Sequence, residues 1–246
     1  MKTTERIKYI RNWIVEYCKS MPKEPDSLVI GASGGIDSSV TSTLCALTKK
    51  KTIVLSMPIN QIKAQHDLSL KHLKWLKDKF DNVETSLINL DNVYKSFETS
   101  LNNFDSKHGL ANSKARLRMT TLYQVAASNN GIVVGTGNKV EDFGVGFYTK
   151  YGDGGVDISP IADCNKTQIW DMGKHLEILD EIIKAEPTDG LWDDGRSDVS
   201  QLGMSYQELE KAMENSNNKD HKKYLEIRKR NLHKMKPIPF CKIKND

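Results

Sequence analysis

The pattern of apolar and polar positions switches repeatedly between the period of a helix and that of a strand. Ile7, Ile10 and Ile14 recur at three- and four-residue spacing, which predicts an amphipathic helix over residues 3–20. The short apolar run Ser27–Gly31 then predicts a buried strand that enters a glycine-rich turn. By the same criteria we expect further strands at 52–57, 83–90 and 131–135, and further helices at 38–49, 64–80, 113–129, 166–184, 205–215 and 219–234.

Strands that alternate with helices indicate an α/β fold. We therefore expect a mostly parallel sheet covered by helices on both faces, within a single domain over residues 1–246. Residues 139–157 contain five glycines and no sustained period, so we expect a long loop there, and a second, polar loop at 186–200. In such sheets ligands bind beyond the carboxyl ends of the strands, and long loops in compact domains are often functional.

Composition excludes several classes of protein. The chain has 246 residues, of which 38% are hydrophobic, and no apolar stretch approaches the roughly 20 residues of a membrane span. Its N-terminus alternates charged and apolar residues, unlike a signal peptide, so we expect a cytoplasmic protein with no membrane partner. The four cysteines are far apart, which argues against a zinc knuckle, an iron–sulfur site and a disulfide scaffold.

The net charge of +4 is unevenly distributed. Residues 217–246 contain ten Lys and Arg against three Asp and Glu, so the rest of the chain is mildly acidic. A basic tail of this kind is typical either of a nucleic-acid or phosphate partner or of a solvated helix face. The charge alone leaves both interpretations open.

The segment Gly31–Ser39, sequence GASGGIDSS, carries the clearest chemical signal. It follows a predicted strand and opens a predicted helix, so its glycines and backbone N–H groups can surround a phosphate. The segment is not a Walker A loop, because it has no lysine. Asp37 would repel a phosphate unless a cation lay between them, and Mg²⁺ bound to its carboxylate resolves that conflict.

The string Ser33–Ser38, SGGIDS, resembles the motif of the ATP-pyrophosphatase (PP-loop) family, which has an adenine nucleotide alpha hydrolase-like, Rossmann-like fold. The resemblance implies cleavage of ATP between its α- and β-phosphates and adenylation of a carbonyl or carboxylate oxygen. It leaves the second substrate open, although the absence of a paired CxxC argues against the thiolating tRNA enzymes.

Further segments resemble the bacterial NAD synthetases of that family over almost the whole chain. They occur in the same order and at similar spacing: KARLRM from Lys114, GFYTKYGDGGVD from Gly146, EPT from Glu186 and the pair His233-Lys234. The resemblance implies amidation of the nicotinate carboxylate of deamido-NAD with ATP and ammonia. One departure is that similar enzymes usually have Asp-His where this chain has Gly137-Asn138.

The resemblance also implies roles for individual residues. Asp37, Ser33 and Ser38 would be catalytic, and Asp37 and Glu141 would hold Mg²⁺. The implied ATP-binding residues are Gly31, Ala32, Ser33, Gly34, Gly35, Ile36, Asp37, Ser38, Thr136, Lys166 and Thr188. The implied deamido-NAD residues are Arg116, Lys150, Asp157, His233 and Lys234.

The resemblance further implies a homodimer. We expect no nucleic-acid partner, because the basic tail contains His233 and Lys234, which by the resemblance bind an anionic dinucleotide. The length leaves little room for a glutaminase domain, so we expect free ammonia as the nitrogen source. Two alternatives stay open: another PP-loop enzyme, such as a tRNA-modifying one, and an ATP-binding module without turnover.

Overall fold

The computed structural model of the protein describes residues 1–192 and 194–243. Its centre is a parallel sheet of four strands, β1 (Ser27–Gly31), β2 (Lys51–Ser56), β3 (Val83–Leu87) and β4 (Gly131–Val133), in the order β3-β2-β1-β4. In the register of the sheet, Val29 of β1 is paired with Ile53 of β2 and with Val133 of β4. The alternating pattern of the sequence therefore predicted the fold class correctly.

Helices cover both faces of the sheet. One face carries α1 (Thr3–Ser20), α2 (Ile36–Leu47), α3 (Lys63–Lys79), α6 (Lys166–His175) and α7 (Asp180–Lys184); the other carries α4 (Asp91–Ser100) and α5 (Lys107–Ser128). The buried apolar side chains of β1 divide between two cores accordingly: Leu28 and Ile30 pack on the first face and Val29 on the second.

A third, smaller core lies beside the sheet. It joins a π-helical turn, Lys139–Val145, to α8 (Asp198–Leu202), α9 (Tyr206–Glu214) and α10 (His221–Met235). Val140, Val145 and Leu209 are fully buried within it. Packing against α9 and α10 orders the start of the segment 139–157, for which the sequence predicted a long loop.

Several element boundaries differ from the prediction. Helix α4 was not predicted, although Val93, Tyr94 and Phe97 recur at helical spacing; only Tyr94 of its residues is buried. The helix predicted over 166–184 is two helices, because the chain turns at Glu177, which has a φ of +59°, and this turn buries Ile178. The strand predicted over 83–90 ends at Leu87, and α8 lies within the polar loop predicted at 186–200.

Within the part of the chain that the structure describes, no helix combines the length and the apolar character needed to span a membrane.

Candidate functional site

A cleft of about 740 Å³ opens at the carboxyl ends of the strands, where the parallel sheet predicted ligand binding. It brings together residues that are far apart in sequence. All but one of the residues implied by the resemblance line it: Gly31, Ala32, Ser33, Gly34, Gly35, Ile36, Asp37, Ser38, Arg116, Thr136, Glu141, Lys150, Lys166, Thr188, His233 and Lys234.

The turn between β1 and α2 has the geometry of an anion cradle. Helix α2 begins after Gly35, which has no side chain to occupy the N–H groups of the first turn, so these groups face the cleft. The hydroxyl oxygens of Ser33 and Ser38 lie 3.0 Å apart, and Ser38 also donates to the carbonyl of Gly35 at 3.0 Å. These bonds hold the turn in one conformation.

Gly34 allows this turn to approach α3 closely. Its φ is +89°, and a Cβ atom there would lie 2.6 Å from the carbonyl oxygen of Gln65. Ser69 of α3 also donates to the carbonyl of Ala32 at 2.8 Å. A residue with a side chain at position 34 would therefore push the cradle away from α3.

Asp37, Lys166 and Glu141 form a buried charged cluster at one end of the cradle. The Nζ of Lys166 lies 2.6 Å from Oδ2 of Asp37 and 2.9 Å from Oε1 of Glu141. The Lys166 side chain is 2% exposed, so its ammonium is largely removed from water. Two carboxylates therefore converge on a single point, with one cation between them.

The charges of this cluster determine its protonation. Burial alone would lower the pKa of Lys166, but the charges of Asp37 and Glu141 outweigh burial and raise it, so the ammonium keeps its proton. Burial raises the pKa of Asp37, and the charge of Lys166 opposes this effect. Burial alone would raise the pKa of Glu141. The charge of Lys166 and the hydrogen bonds donated by Tyr206 and Lys166 outweigh this effect, so the pKa lies below its ordinary value.

Asn138, one of the two departures from the family pattern, connects both carboxylates. Its amide nitrogen donates to Oδ1 of Asp37 at 3.0 Å. Its amide oxygen accepts the backbone N–H groups of Val140 and Glu141, each at 3.0 Å, and so caps the π-helical turn. One fully buried side chain thus orients Asp37 and the backbone that carries Glu141.

The neighbouring departure, Gly137, makes room for another acidic side chain. A Cβ atom at position 137 would lie 1.8 Å from Oδ2 of Asp142, so the carboxyl of Asp142 occupies that space. Both residues line the cleft. The absence of a side chain at position 137 is therefore coupled to the presence of Asp142.

One wall of the cleft, called the basic wall below, carries several basic residues. Lys234 of α10 donates to the carbonyl of Tyr148 at 2.8 Å, which ties the C-terminal helix to the glycine-rich segment. Arg116 of α5 lies 3.3 Å from the carbonyl oxygen of Lys150, and His233 lines the same wall. These groups suit a ligand that carries phosphate or carboxylate charge.

Asp157 is the implied substrate residue that the cleft does not include. Its side chain accepts the backbone N–H of Val133 at 2.7 Å and the hydroxyl of Tyr123 at 3.0 Å. Both of its carboxylate oxygens therefore stabilise the junction of β4 and α5 within this chain.

Thr188 lies at the cleft mouth, on the segment before α8. Its hydroxyl oxygen accepts the side-chain amide of Gln65 at 2.8 Å and the backbone N–H of Gly190 at 3.0 Å. Thr136 lines the cleft after the end of β4. The position of Thr136 agrees with the strand-end face on which the sequence places it.

Sequence reasoning missed several polar residues in the cleft or directly behind its lining. Arg118 donates to the carbonyl of Met57 and to Gln61, and burial lowers its pKa to about 10. Tyr206 and Asp198 were missed as well, although both belong to a hydrogen-bonded network that reaches Glu141. Tyr206 follows a helix-capping serine and has the pattern of a core residue, so no local signal distinguished it.

Comparisons with known proteins agree with this geometry. The family model described as NAD synthase matches residues 6–239. The NH(3)-dependent NAD(+) synthetase of Carboxydothermus hydrogenoformans is 36% identical over 214 residues, which cover 84% of this chain and 83% of that protein.

Two solved structures are similar over nearly the whole chain. The NMN synthetase of Francisella tularensis has a TM-score of 0.90 at 30% identity and covers 99% of this chain and 100% of its own. The NH3-dependent NAD synthetase of Campylobacter jejuni has a TM-score of 0.78 at 26% identity, and the match covers 98% of this chain and 100% of that one. With the cradle, the buried carboxylates and the basic wall in one cleft, the chain belongs to the NAD synthase family.

Proposed function

We propose that the cleft converts the nicotinate carboxylate of deamido-NAD to the amide of NAD, with ATP and free ammonia as co-substrates. NH(3)-dependent NAD(+) synthetase is the name of the curated relatives, which supports this proposal. The observation that supports this chemistry best is the anion cradle, which opens into the same cleft as the Asp37–Lys166–Glu141 cluster and a basic wall.

A carboxylate is a poor electrophile, so the reaction proceeds in two steps. In the first, a carboxylate oxygen attacks the α-phosphorus of ATP, and the bond to pyrophosphate breaks. In the second, ammonia attacks the carbonyl carbon, the bond to the AMP oxygen breaks, and the nitrogen gives up a proton. Neither step needs a protein nucleophile, so the residues act by positioning the substrates and compensating their charge.

We assign the pyrophosphate of ATP to the cradle Gly31–Ser38. The hydroxyls of Ser33 and Ser38 would rotate from their bonds within the turn to donate to its oxygens. Thr136 and Thr188 lie at positions suited to the rest of the nucleotide. Lys166 reaches the same point and compensates phosphate charge as phosphate approaches the buried carboxylates.

Asp37 and Glu141 fit a magnesium ion. Both bond one ammonium at 2.6 and 2.9 Å, so their oxygens already converge, and together they carry one more negative charge than Lys166 compensates. Mg²⁺ binds through one or two carboxylates together with substrate phosphates and waters. When bound, it would neutralise charge on the phosphates at the α-phosphorus.

For deamido-NAD we assign the basic wall, with Arg116, Lys150, His233 and Lys234 facing its phosphates and carboxylate. Asp157 belongs to the same proposal only if a bound dinucleotide extends beyond the cleft, because its oxygens are engaged at the end of β4.

The test is to incubate the purified protein with ATP, Mg²⁺, deamido-NAD and an ammonium salt, and to measure NAD, AMP and pyrophosphate. We expect all three products in equal amounts. Folded protein that forms no NAD would refute the proposal, and ADP in place of AMP would refute the pyrophosphatase chemistry. Asp37→Asn is expected to abolish turnover while it leaves the circular dichroism spectrum unchanged.

A second candidate substrate is nicotinate mononucleotide, the acid whose amide is NMN. Two observations favour it: the higher TM-score to the Francisella NMN synthetase, 0.90 against 0.78, and the position of Asp157 outside the cleft. Comparing kcat/KM for the two acids under identical conditions separates the candidates. The preferred substrate is the acid whose kcat/KM exceeds that of the other by more than about 100-fold, which corresponds to a free-energy difference of about 2.7 kcal/mol.

We also infer that the protein acts as a homodimer in the cytoplasm. Three of its cysteines are buried free thiols, which suits a reducing compartment. Helix α4 exposes Val93 and Phe97, and Phe104 follows it, which gives an apolar area that a second copy could cover. Light scattering should give twice the mass of one chain, and the mass of a single chain would refute the dimer.

A further inference from the structure

Tyr206 is the first residue of α9, and its ring is held rigidly beside the charged cluster. The capping box of Ser205 and Glu208 sets the start of the helix at this residue. The ring is 2% exposed, meets Trp170 edge to face at 5.9 Å and lies 4.6 Å from the Nζ of Lys166. Its hydroxyl position is therefore determined by packing on several sides.

That hydroxyl lies between two carboxyl groups. It is 2.5 Å from Oε1 of Glu141 and 3.0 Å from Oδ2 of Asp198. A phenol has one hydrogen, so it can donate to only one of them. The shorter distance indicates that Tyr206 donates to Glu141, and the second contact then requires a proton on Asp198 that is donated to the phenol oxygen.

The surroundings of Asp198 agree with that proton. The residue is 5% exposed, and within the described part of the chain its Oδ1 has no hydrogen-bond partner. Burial, with the charge of Glu141 as the next cause, raises the pKa of Asp198 to about 7. An ionised carboxylate in this position would face the phenol oxygen with no hydrogen between them.

Asp198 also joins this network to the segment that carries Thr188. Its backbone N–H donates to the carbonyl of Pro187 at 3.0 Å, directly before Thr188 at the cleft mouth. The network thus runs from the segment that borders the cleft, through Tyr206, to Glu141.

We propose that Tyr206 is a positioning residue that holds Glu141 in the orientation needed to bind a divalent cation, and that Asp198 commits the Tyr206 hydroxyl to Glu141. The inference rests on the proposed role of Glu141 and adds two residues with defined donor and acceptor directions. Groups that orient a metal ligand typically change metal affinity or activity by about 10- to 100-fold when they are removed.

The test uses Mn²⁺ as the probe, with a non-hydrolysable ATP analogue bound to the intact chain. Mn²⁺ affinity is measured from the electron paramagnetic resonance signal of the free ion, and the Mg²⁺ concentration for half-maximal activity is measured in parallel. In Tyr206→Phe we expect the Mn²⁺ dissociation constant and the Mg²⁺ concentration for half-maximal activity each to rise by about 10-fold or more. The KM for the nicotinate substrate should stay within 2-fold, because Tyr206 does not line the cleft.

Two further variants separate positioning from simple stability. Tyr224→Phe removes the hydroxyl of another tyrosine of the same small core, for which no hydrogen bond to Glu141 is observed, and we expect wild-type Mn²⁺ affinity. Asp198→Asn keeps a donor for the phenol oxygen, and Asp198→Leu leaves Glu141 as the acceptor of the phenol hydrogen, so in both variants Mn²⁺ affinity should stay within about 3-fold of wild type.

Unchanged Mn²⁺ affinity in folded Tyr206→Phe would overturn the proposal. So would an equal loss in Tyr224→Phe, because the effect would then report the stability of the core, or a loss in either Asp198 variant as large as that in Tyr206→Phe. Mn²⁺ binding requires no turnover, so a wild-type protein that binds Mn²⁺ and forms no NAD would refute the proposed function and leave this inference standing.

Discussion

Lys166→Met offers the most direct test of the buried cluster. The substitution keeps the length and apolar character of the side chain and removes its charge. Asp37 and Glu141 would then be two buried carboxylates without the ammonium that lies 2.6 and 2.9 Å from them. Breaking a buried ion pair by removing one partner costs about 3–5 kcal/mol of unfolding free energy.

For a chain of this length each kcal/mol lowers Tm by about 2–4 °C, so the expected decrease is about 6–20 °C. Lys184→Met is the matched control. Lys184 forms an ion pair with Asp180 at 2.9 Å, but its side chain is 75% exposed, so the cost should stay below about 1 kcal/mol. The assay is thermal unfolding followed by circular dichroism, with and without Mg²⁺.

Mg²⁺ should raise the Tm of Lys166→Met by more than it raises that of the wild type, because a divalent cation can compensate the charge that was removed. Turnover should be lost at every Mg²⁺ concentration. The reasoning would be refuted by a Tm within 2 °C of the wild type, or by equal decreases in Lys166→Met and Lys184→Met, since burial would then make no difference to the cost.

Three further outcomes follow from individual contacts. Asn138→Ala should cost about 1–3 kcal/mol in urea unfolding and lower kcat, because it removes the donor to Asp37. Gly34→Ala should raise the KM for ATP several-fold in steady-state assays, because its Cβ would meet the carbonyl of Gln65 at 2.6 Å. Burial lowers the pKa of His72 to about 4, so urea titrations should show stability falling by up to about 3 kcal/mol between pH 6.5 and 4, a loss absent from His72→Asn.

The sign of the His72 effect follows from proton binding. Between pH 6.5 and 4 the unfolded chain binds a proton at His72 that the folded chain excludes, so acid favours unfolding. The full contribution is present above pH 6.5. A stability that rises as pH falls through this window would contradict the assignment of His72 as a buried neutral side chain.

Much of the fold was predictable because its signals are local. The strand Ser27–Gly31 was predicted with its observed bounds, since a short apolar run with β-branched residues before a glycine-rich turn is typical of a buried strand. The helix over residues 3–20 also agrees with the structure, because its apolar spacing is regular. The helix Asp91–Ser100 was missed although Val93, Tyr94 and Phe97 have helical spacing. A local signal was lacking for the turn at Glu177, which neither glycine nor proline marks.

The candidate site was predictable only where its residues form a contiguous motif. The cradle Gly31–Ser38 was visible in the sequence because a strand end, glycines and a helix start are neighbours in the chain. The resemblance to a family added Glu141, Lys166 and the basic wall. Neither approach indicated that Asn138 connects Asp37 to Glu141, or that Tyr206 orients Glu141.

The periods of apolar residues and one glycine-rich turn were thus enough to predict a parallel α/β sheet and the edge at which the candidate cleft opens, because both depend on residues close together in the chain. The charged cluster depends on contacts between distant residues. Asp37 and Lys166 are 129 positions apart, and Tyr206 is 65 positions from Glu141. The helices must pack around the sheet before these side chains are buried and hydrogen-bonded to one another. Neither the helical period nor the residue type specifies which distant side chain a given residue will contact.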